Sequence, residues 1–318
     1  MNCLEIIGHG RRRLVLLVVI CLAASAGVVA QARRSTPLRS ITVVTEPAAT
    51  VWIDGVRYGV TDDKGRLVIS SVLPGVRTLR VRAAGFAELS KSLPATSRGE
   101  VVITLVKKAD EAELAFQSAE AQTTVDREKA IAEYKRAIKL RPGYVEAHIG
   151  LARAYSERGD IENAFKSIQI AKRLRPNAEA LAVEGRLLKD SGEEDKAIAT
   201  FKRAIALGRG FLPEAHTGLG LLYKDRAENA GGSGDYHGEN ANYDEAARHL
   251  AVAVDQLGSS PDAMVIIQLL GLIYERQKKF KEAIALYEDF LRLFPNTSEA
   301  GAVESFIVQI KKQMNEPK

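Results

Sequence analysis

The feature that most constrains this 318-residue chain is an internal repeat of small and aromatic residues in its C-terminal two thirds. Alanines recur at Ala130, Ala164 and Ala197, spaced 34 and 33 residues apart, and again at Ala246 and Ala283. Four residues after each comes a large apolar residue, and three further on comes another alanine or, in the last unit, a phenylalanine. Prolines end three of the units, at Pro142, Pro176 and Pro295. A period of this length with helical spacing predicts a stack of helix pairs, because one pair cannot bury its apolar face alone.

The spacing predicts five repeats within residues 107–297, with bounds near 111–144, 145–177, 178–212, 213–263 and 264–297. Residues 298–318 contain an amphipathic segment that we expect to form a capping helix and a tail. The fourth repeat carries about 14 extra residues rich in Gly and Asn. They predict an inserted loop at 227–242, which is either a partner-binding or ion-binding flap or a plain solvated loop.

The aligned alanines, aromatics and prolines resemble the tetratricopeptide repeat. That resemblance implies an all-α superhelix in which the first helix of each pair lines a concave groove. Its basic side chains suit a peptide carboxylate or acidic residues, whereas the alternative is a solvated helix face of mixed charge. The groove positions implied by the resemblance are Arg153, Glu157, Arg186, Lys189, Asp190, Thr217, Leu221, Lys224, Gln268, Leu272 and Arg276.

Residues 38–106 have a different pattern, with short alternating runs separated by Gly, Pro and Asp. Strands are predicted at 41–45, 50–53, 66–69, 77–81 and 101–106. Asp54-Gly55 and Lys64-Gly65 indicate turns, because Gly accepts a positive φ without steric cost. Several short strands without a helical stretch favour a small antiparallel β-sandwich.

The same region closely resembles the PEGA domain in its turn positions. The matching residues are Glu46-Pro47-Ala48-Ala49, Val51-Trp52-Ile53-Asp54-Gly55, Leu73-Pro74-Gly75-Val76-Arg77 and Val81-Arg82-Ala83-Ala84-Gly85-Phe86. The resemblance implies a small sandwich of exported and surface-layer-type proteins, with a transthyretin-like sandwich as a near neighbour. Neither family implies catalysis.

Trp52 is the single tryptophan of the chain. If Val51 and Ile53 point into the sandwich core, Trp52 points outward, because side chains alternate along a strand. It is then either a surface contact for a sugar or a partner, or it packs under a loop or against the helical domain. The arginines of this region offer a contact for an anionic envelope polymer, with a solvated sheet face as the alternative.

Residues 1–30 have the order of a secretory signal peptide: Arg11–Arg13, then an apolar run over Leu14–Ala24, then small residues. We expect cleavage after Ala26 or Ala30, and the alternative is an uncleaved membrane anchor. Residues 31–37 are predicted to be a linker. Both cysteines, Cys3 and Cys21, precede these cleavage sites, so a cleaved chain has no disulfide and no thiol nucleophile.

Charge and motifs narrow the functional classes. The net charge is +5, but residues 107–318 hold 31 Lys and Arg against 33 Asp and Glu, which makes nucleic acid a poor partner. No sequence signature of a hydrolase, phosphate-binding loop or metal site is found, so we expect no enzyme activity, cofactor or metal. His148 and His216 occupy positions where this repeat carries core aromatics, which favours a structural role.

The sequence therefore predicts an exported multidomain scaffold or adaptor of the cell envelope, periplasmic or envelope-associated, that binds a protein or peptide in the helical groove. The alternative is a structural envelope protein whose sandwich binds glycan or surface-layer material. Contact with a membrane is expected only through an uncleaved N-terminal segment.

Overall fold

The computed structural model describes residues 39–315, so the predicted leader and linker lie outside the described residues. Seven strands come first and eleven helices follow within that range. The strands are β1 Arg39–Val44, β2 Thr50–Ile53, β3 Val56–Val60, β4 Arg66–Val72, β5 Arg77–Arg82, β6 Leu89–Leu93 and β7 Gly99–Val102. The helices are α1 Glu111–Gln122, α2 Arg127–Leu140, α3 Val145–Glu157, α4 Ile161–Leu174, α5 Ala178–Asp190, α6 Glu194–Leu207, α7 Pro213–Gly232, α8 Tyr236–Leu257, α9 Pro261–Arg276, α10 Phe280–Leu293 and α11 Ala300–Asn315.

The strands form a three-stranded sheet in the order β4-β1-β7 and a four-stranded sheet in the order β3-β2-β5-β6. Alternate residues of each sheet, such as Ile41, Val43, Val51 and Ile53, are buried between them. The sequence predicted an antiparallel sandwich, and this prediction is wrong for one pair of strands, because β1 and β7 run parallel. Between β1 and β7 the chain passes through the four-stranded sheet and then returns to the three-stranded sheet. Because it returns from the other sheet, β7 can lie beside β1 and run in the same direction.

The sequence pattern missed β3 and β6 and placed the last strand too late. Strand β6 reads LSKSL and has no β-branched residue, whereas β3 reads VRYGV, a short run that a glycine interrupts. The tight turn at Asp54-Gly55, with φ of 50° and 85°, pairs β3 with β2. The last strand ends at Val102, although the apolar run continues to Val106.

Each helix pair closes around small residues. A Cβ atom on Gly185 would lie 2.7 Å from the Phe201 ring, and one on Gly271 would lie 2.3 Å from Tyr287 Oη. The aromatic ring of the second helix therefore occupies the space that a side chain on the first helix would need. Several helices begin at an Asp or Asn whose side chain accepts backbone N–H groups of the first turn, as at Asp126, Asp160 and Asn177.

The predicted loop at 227–242 is wrong, because these residues lengthen both helices of the fourth pair. Helix α7 has 20 residues and α8 has 22, and only a short turn around Gly234 separates them. Asp235 caps α8, and Glu239 of the added turns is bound by Arg276 at 2.8 Å. Extra residues on both sides of a turn can lengthen two adjacent helices and remain within the stack. The Gly- and Asn-rich composition of this segment favoured a loop and did not indicate the longer helices.

The sandwich packs against the helices at two distant places. Near α1, the Gln117 side chain accepts the Gly85 N–H at 3.1 Å and donates to the Phe86 carbonyl at 2.8 Å. Near the α8–α9 turn, the Ser71 N–H donates to Ser259 Oγ at 3.2 Å, and that hydroxyl donates to the Ser71 carbonyl at 3.0 Å. The sandwich core and the core of the last two helix pairs form one continuous apolar cluster. The sandwich therefore spans from the first pair to the fifth.

Within residues 39–315, none of the helices has the length and apolar composition required to cross a bilayer.

Candidate functional site between the sheet and the helices

A cavity of about 720 Å³ lies between the four-stranded sheet and the first helices of the pairs. The outward face of β2, β3 and β5 supplies Trp52, Arg57, Arg80 and Arg82 to its wall. The helices supply five of the eleven predicted groove residues, which are Arg153, Arg186, Lys189, Thr217 and Leu221. The outward-facing strand residues and the helical groove, which the sequence suggested separately, thus meet in one place.

Trp52 points away from the sandwich core, where its neighbours Val51 and Ile53 are buried. Its ring lies under the Arg80 guanidinium at 4.2 Å, and the Arg82 guanidinium lies 5.2 Å from the ring centre. Arg82 also lies 4.7 Å from the Phe116 ring on α1. These cation–π contacts join the sheet to the first helix and leave Trp52 half-buried in the cavity wall.

Arg153 binds carboxylates from two later repeats. It makes a bidentate pair with Glu214 at 2.8 and 2.6 Å, and it binds Glu179 at 3.1 Å. Burial opposes the charge on Arg153, but the two carboxylates outweigh it and hold its pKa above the ordinary value. Burial likewise acts to raise the pKa of Glu214, but Arg153 overrides it and keeps that pKa low. The cluster therefore stays ionised and holds α3, α5 and α7 together.

Arg186 differs from Arg153 because the described residues provide it with no hydrogen-bond partner. Its Nε and Nη2 atoms are buried and unpaired, although the residue as a whole is half-buried. Lys189, one turn further along α5, lies 3.4 Å from Asp190. The sequence could identify Arg186 as a groove position, but only the structure shows that its donors are unsatisfied.

The other six predicted groove residues do not line this cavity. Glu157, Lys224 and Arg276 are paired with Arg127, Glu228 and Glu239, respectively. Asp190 faces Lys189, and Leu272 is 62% exposed. Glu157 and Asp190 are the last residues of α3 and α5 and lie outside the cavity wall, and on α9 only Asp262 and Ile266 line the cavity, so Leu272 and Arg276 lie beyond it. Gln268 also lies outside the cavity wall.

Sequence reasoning missed Glu179 and Glu214 as groove residues. They lie in the first turns of α5 and α7, at equivalent repeat positions. The signal was available, since an acidic residue recurs at the start of each of these helices, but its partner Arg153 could be assigned only from the superhelical stacking.

The two histidines of the fourth pair form a buried contact. His216 Nδ1 and His249 Nδ1 are 3.1 Å apart, and Tyr223 stacks on His249 at 5.9 Å. Burial, with Arg248 and His216 nearby, lowers the pKa of His249 to about 4. His148, also buried, contacts the Pro142 carbonyl at 3.1 Å. No group of three metal-ligating side chains occurs within residues 39–315.

Comparison with known families now identifies the helical part. A family model for the TPR repeat matches residues 126–159, and models for the tetratricopeptide repeat match 178–207 and 266–297. The chain contains tetratricopeptide repeats. The matched segments cover helices α2–α3, helices α5–α6, and most of α9 with all of α10, and the lengthened pair α7–α8 lies between the second and third segments.

Individual relatives share the repeats over part of their length. The chain is 27% identical over 164 residues to anaphase-promoting complex subunit 3 of Schizosaccharomyces pombe, a match to 51% of this chain and 22% of that protein. It thus spans about a fifth of that relative. Yeast Tom70 aligns over 65% of this chain and 41% of its own, with 19% identity and a TM-score of 0.51. The crystal structure of the MamA protein aligns over 60% of this chain and 96% of the MamA chain, with 22% identity and a TM-score of 0.41. The likeness to Tom70 shows the helical-repeat fold.

Proposed function

We propose that this protein is a non-catalytic interaction scaffold that binds a peptide or protein partner on the exposed end of its tetratricopeptide groove. The observation that carries the proposal is an exposed apolar row on successive first helices. Leu272 of α9 and Phe306 of α11 are 34 residues apart and occupy the same repeat position, and they are 62% and 44% exposed. Val265, earlier on α9, is 66% exposed. Exposed apolar side chains grouped in this way favour a partner interface.

The location follows from what covers the rest of the groove. At the equivalent position in the second and third repeats stand Arg153 and Arg186, which face the cavity beneath the sandwich. A partner helix or strand needs an open surface, and the sandwich leaves one at α9 and α11. Arg276, on the same helix as Leu272, is paired with Glu239 but its side chain is 64% exposed, so it can also contact an acidic residue of the partner.

The proposal includes export to the cell envelope. It is supported by the order of charged, apolar and small residues over 1–30 and by the PEGA-like turn positions of the sandwich. The glycan-binding alternative depends on an exposed Trp52, yet this side chain is half-buried and covered by Arg80. The geometry therefore favours the scaffold.

The test is capture of partners from envelope extract with the full chain, followed by direct binding of the purified partner. Leu272→Glu and Phe306→Glu should each weaken that binding at least tenfold, since each places a charge in the apolar interface. The matched control is Val68→Glu, because Val68 is 68% exposed but lies on the sandwich. Equal binding by all three variants would refute the proposed surface.

Export is tested separately by sequencing the N-terminus of the mature chain recovered from the envelope fraction. Cleavage after residue 26 or 30 agrees with the proposal. A chain that is found only in the cytosol with its leader intact contradicts it.

A further inference from the structure

The cavity beneath the sandwich has a charge pattern that differs from the rest of the groove. Most of its acidic residues are already paired: Asp54 with Arg77, Glu146 with Arg175, and Glu179 and Glu214 with Arg153. Glu120 accepts the Tyr134 hydroxyl and lies 3.6 Å from Arg82. Among the described residues Asp262, at the rim, is the one lining carboxylate without a partner.

Two lining cations, in contrast, form no ion pair with a described carboxylate, although Arg186 lies near enough to Glu214 to help lower the pKa of that carboxyl. Arg57 lies exposed at the rim, and Arg186 lies on the inner wall. Arg186 Nε and Nη2 are buried and unsatisfied. These nitrogens form the side-on edge of the guanidinium, which offers two parallel N–H donors to the two oxygens of one carboxylate or phosphate.

We propose that the cavity binds a small organic anion, a carboxylate or phosphate group carried on an apolar body, with Arg186 binding the anionic group. The covered edge of Arg186 requires the guanidinium to turn into the cavity on binding. That turn replaces two unpaired donors with two paired ones, so the anion gains a charge-assisted contact and the protein loses an unsatisfied group.

The size and walls of the cavity suit such a ligand. A volume of about 720 Å³ is within the roughly 300–1,000 Å³ of small-molecule sites and is too small for a folded partner. Apolar surface for the body of the ligand comes from the partly exposed side chains of Phe211, Leu221 and Ile266. Trp52 and its stacked Arg80 close the opposite wall. This site is separate from the partner surface at Leu272 and does not depend on it.

Trp52 makes the proposal directly testable, since it is the single tryptophan and lies in the cavity wall. The experiment titrates the full chain with phenyl phosphate, benzoate and the neutral benzyl alcohol, and follows Trp52 emission and binding heat. We expect a saturable response to at least one anion, and the better anion tells whether the natural group is a phosphate or a carboxylate. Benzyl alcohol should give no saturable response, and added salt should weaken the anion response.

The matched variants are Arg186→Met and Arg173→Met, the latter on the exposed face of α4. Arg186→Met should weaken anion binding at least tenfold, whereas Arg173→Met and Leu272→Glu should bind as the original chain does. If Arg186→Met fails to fold, Arg186→Lys keeps the charge without the two-donor edge and should also weaken binding. Absence of a saturable anion response, equal binding of benzyl alcohol, or unchanged affinity in the Arg186 variants would overturn the proposal.

Discussion

Removing Arg153 should destabilise the fold, because it leaves two carboxylates on the concave face without their cation. Arg153 makes three charged hydrogen bonds, two to Glu214 and one to Glu179. Breaking a fully buried ion pair costs about 3–5 kcal/mol. Here the Arg153 and Glu214 side chains are 27% and 31% exposed, so water in the cavity can partly resolvate the carboxylates. We therefore expect Arg153→Met to lower the free energy of unfolding by about 2 kcal/mol.

The assay is urea unfolding followed by helical circular dichroism at pH 7. The control is Arg175→Met, whose partner Glu146 is on the surface with 58% and 44% of the two side chains exposed. Such pairs contribute under about 1 kcal/mol. A double-mutant cycle with Glu214→Gln should show a coupling of at least about 1 kcal/mol.

The same pair predicts a pH dependence. Since Arg153 holds the pKa of Glu214 below its ordinary value of 4.5, the pair stabilises the fold above that pH. Its contribution is lost as the pH falls through the lower folded pKa, so the difference between the original chain and Arg153→Met should shrink in acid. If Arg153→Met matches Arg175→Met at pH 7, or if the difference does not change in acid, the reasoning is refuted.

Three further predictions concern packing and buried polar groups. Gly271→Ala should lower the free energy of unfolding by about 1–3 kcal/mol, because the added Cβ would lie 2.3 Å from Tyr287 Oη. The control is Gly301→Ala, which has open space around it and should not lower the melting temperature in this way. Arg186→Met should raise the melting temperature of the protein alone, because it removes two unsatisfied donors, and a fall would contradict this. The stability of the original chain should decline as the pH falls from about 6.5 toward 4, because the unfolded chain protonates His249 first; His249→Gln should flatten that decline in urea unfolding at each pH.

The helical repeats could be predicted because their signal is local. Each aligned alanine marks a close contact within one helix pair, and the aromatic four residues later fills the adjacent gap, as Tyr134 and Tyr287 do. Three such segments match tetratricopeptide models independently. The insertion was misjudged for the same reason: its Gly and Asn content lowers helix propensity, whereas tertiary contacts such as Glu239 with Arg276 decide its structure.

The site could be predicted only in part, since it depends on contacts between residues far apart in sequence. The alternation of β2 indicates that Trp52 points outward, and the repeat position indicates that Arg186 lies on the concave face. Their meeting in one cavity depends on contacts such as Ser71 with Ser259, which are 188 positions apart. The spacing of residues in the strands and in the helices does not indicate that Ser71 contacts Ser259. The sequence therefore could not show which groove residues the sandwich covers.

The most direct test of the account is a disulfide cross-link between the sandwich and the α8–α9 turn. The full chain, with Cys3 and Cys21 changed to serine, would carry Ser71→Cys and Ser259→Cys, and the rate of intramolecular cross-linking would be measured. The control pair is Val68→Cys with Ser259→Cys, because Val68 is exposed on the outer sheet. If the sandwich covers the early groove as described, the first pair cross-links much faster than the control. Equal rates for the two pairs would contradict the covered groove and the cavity beneath it.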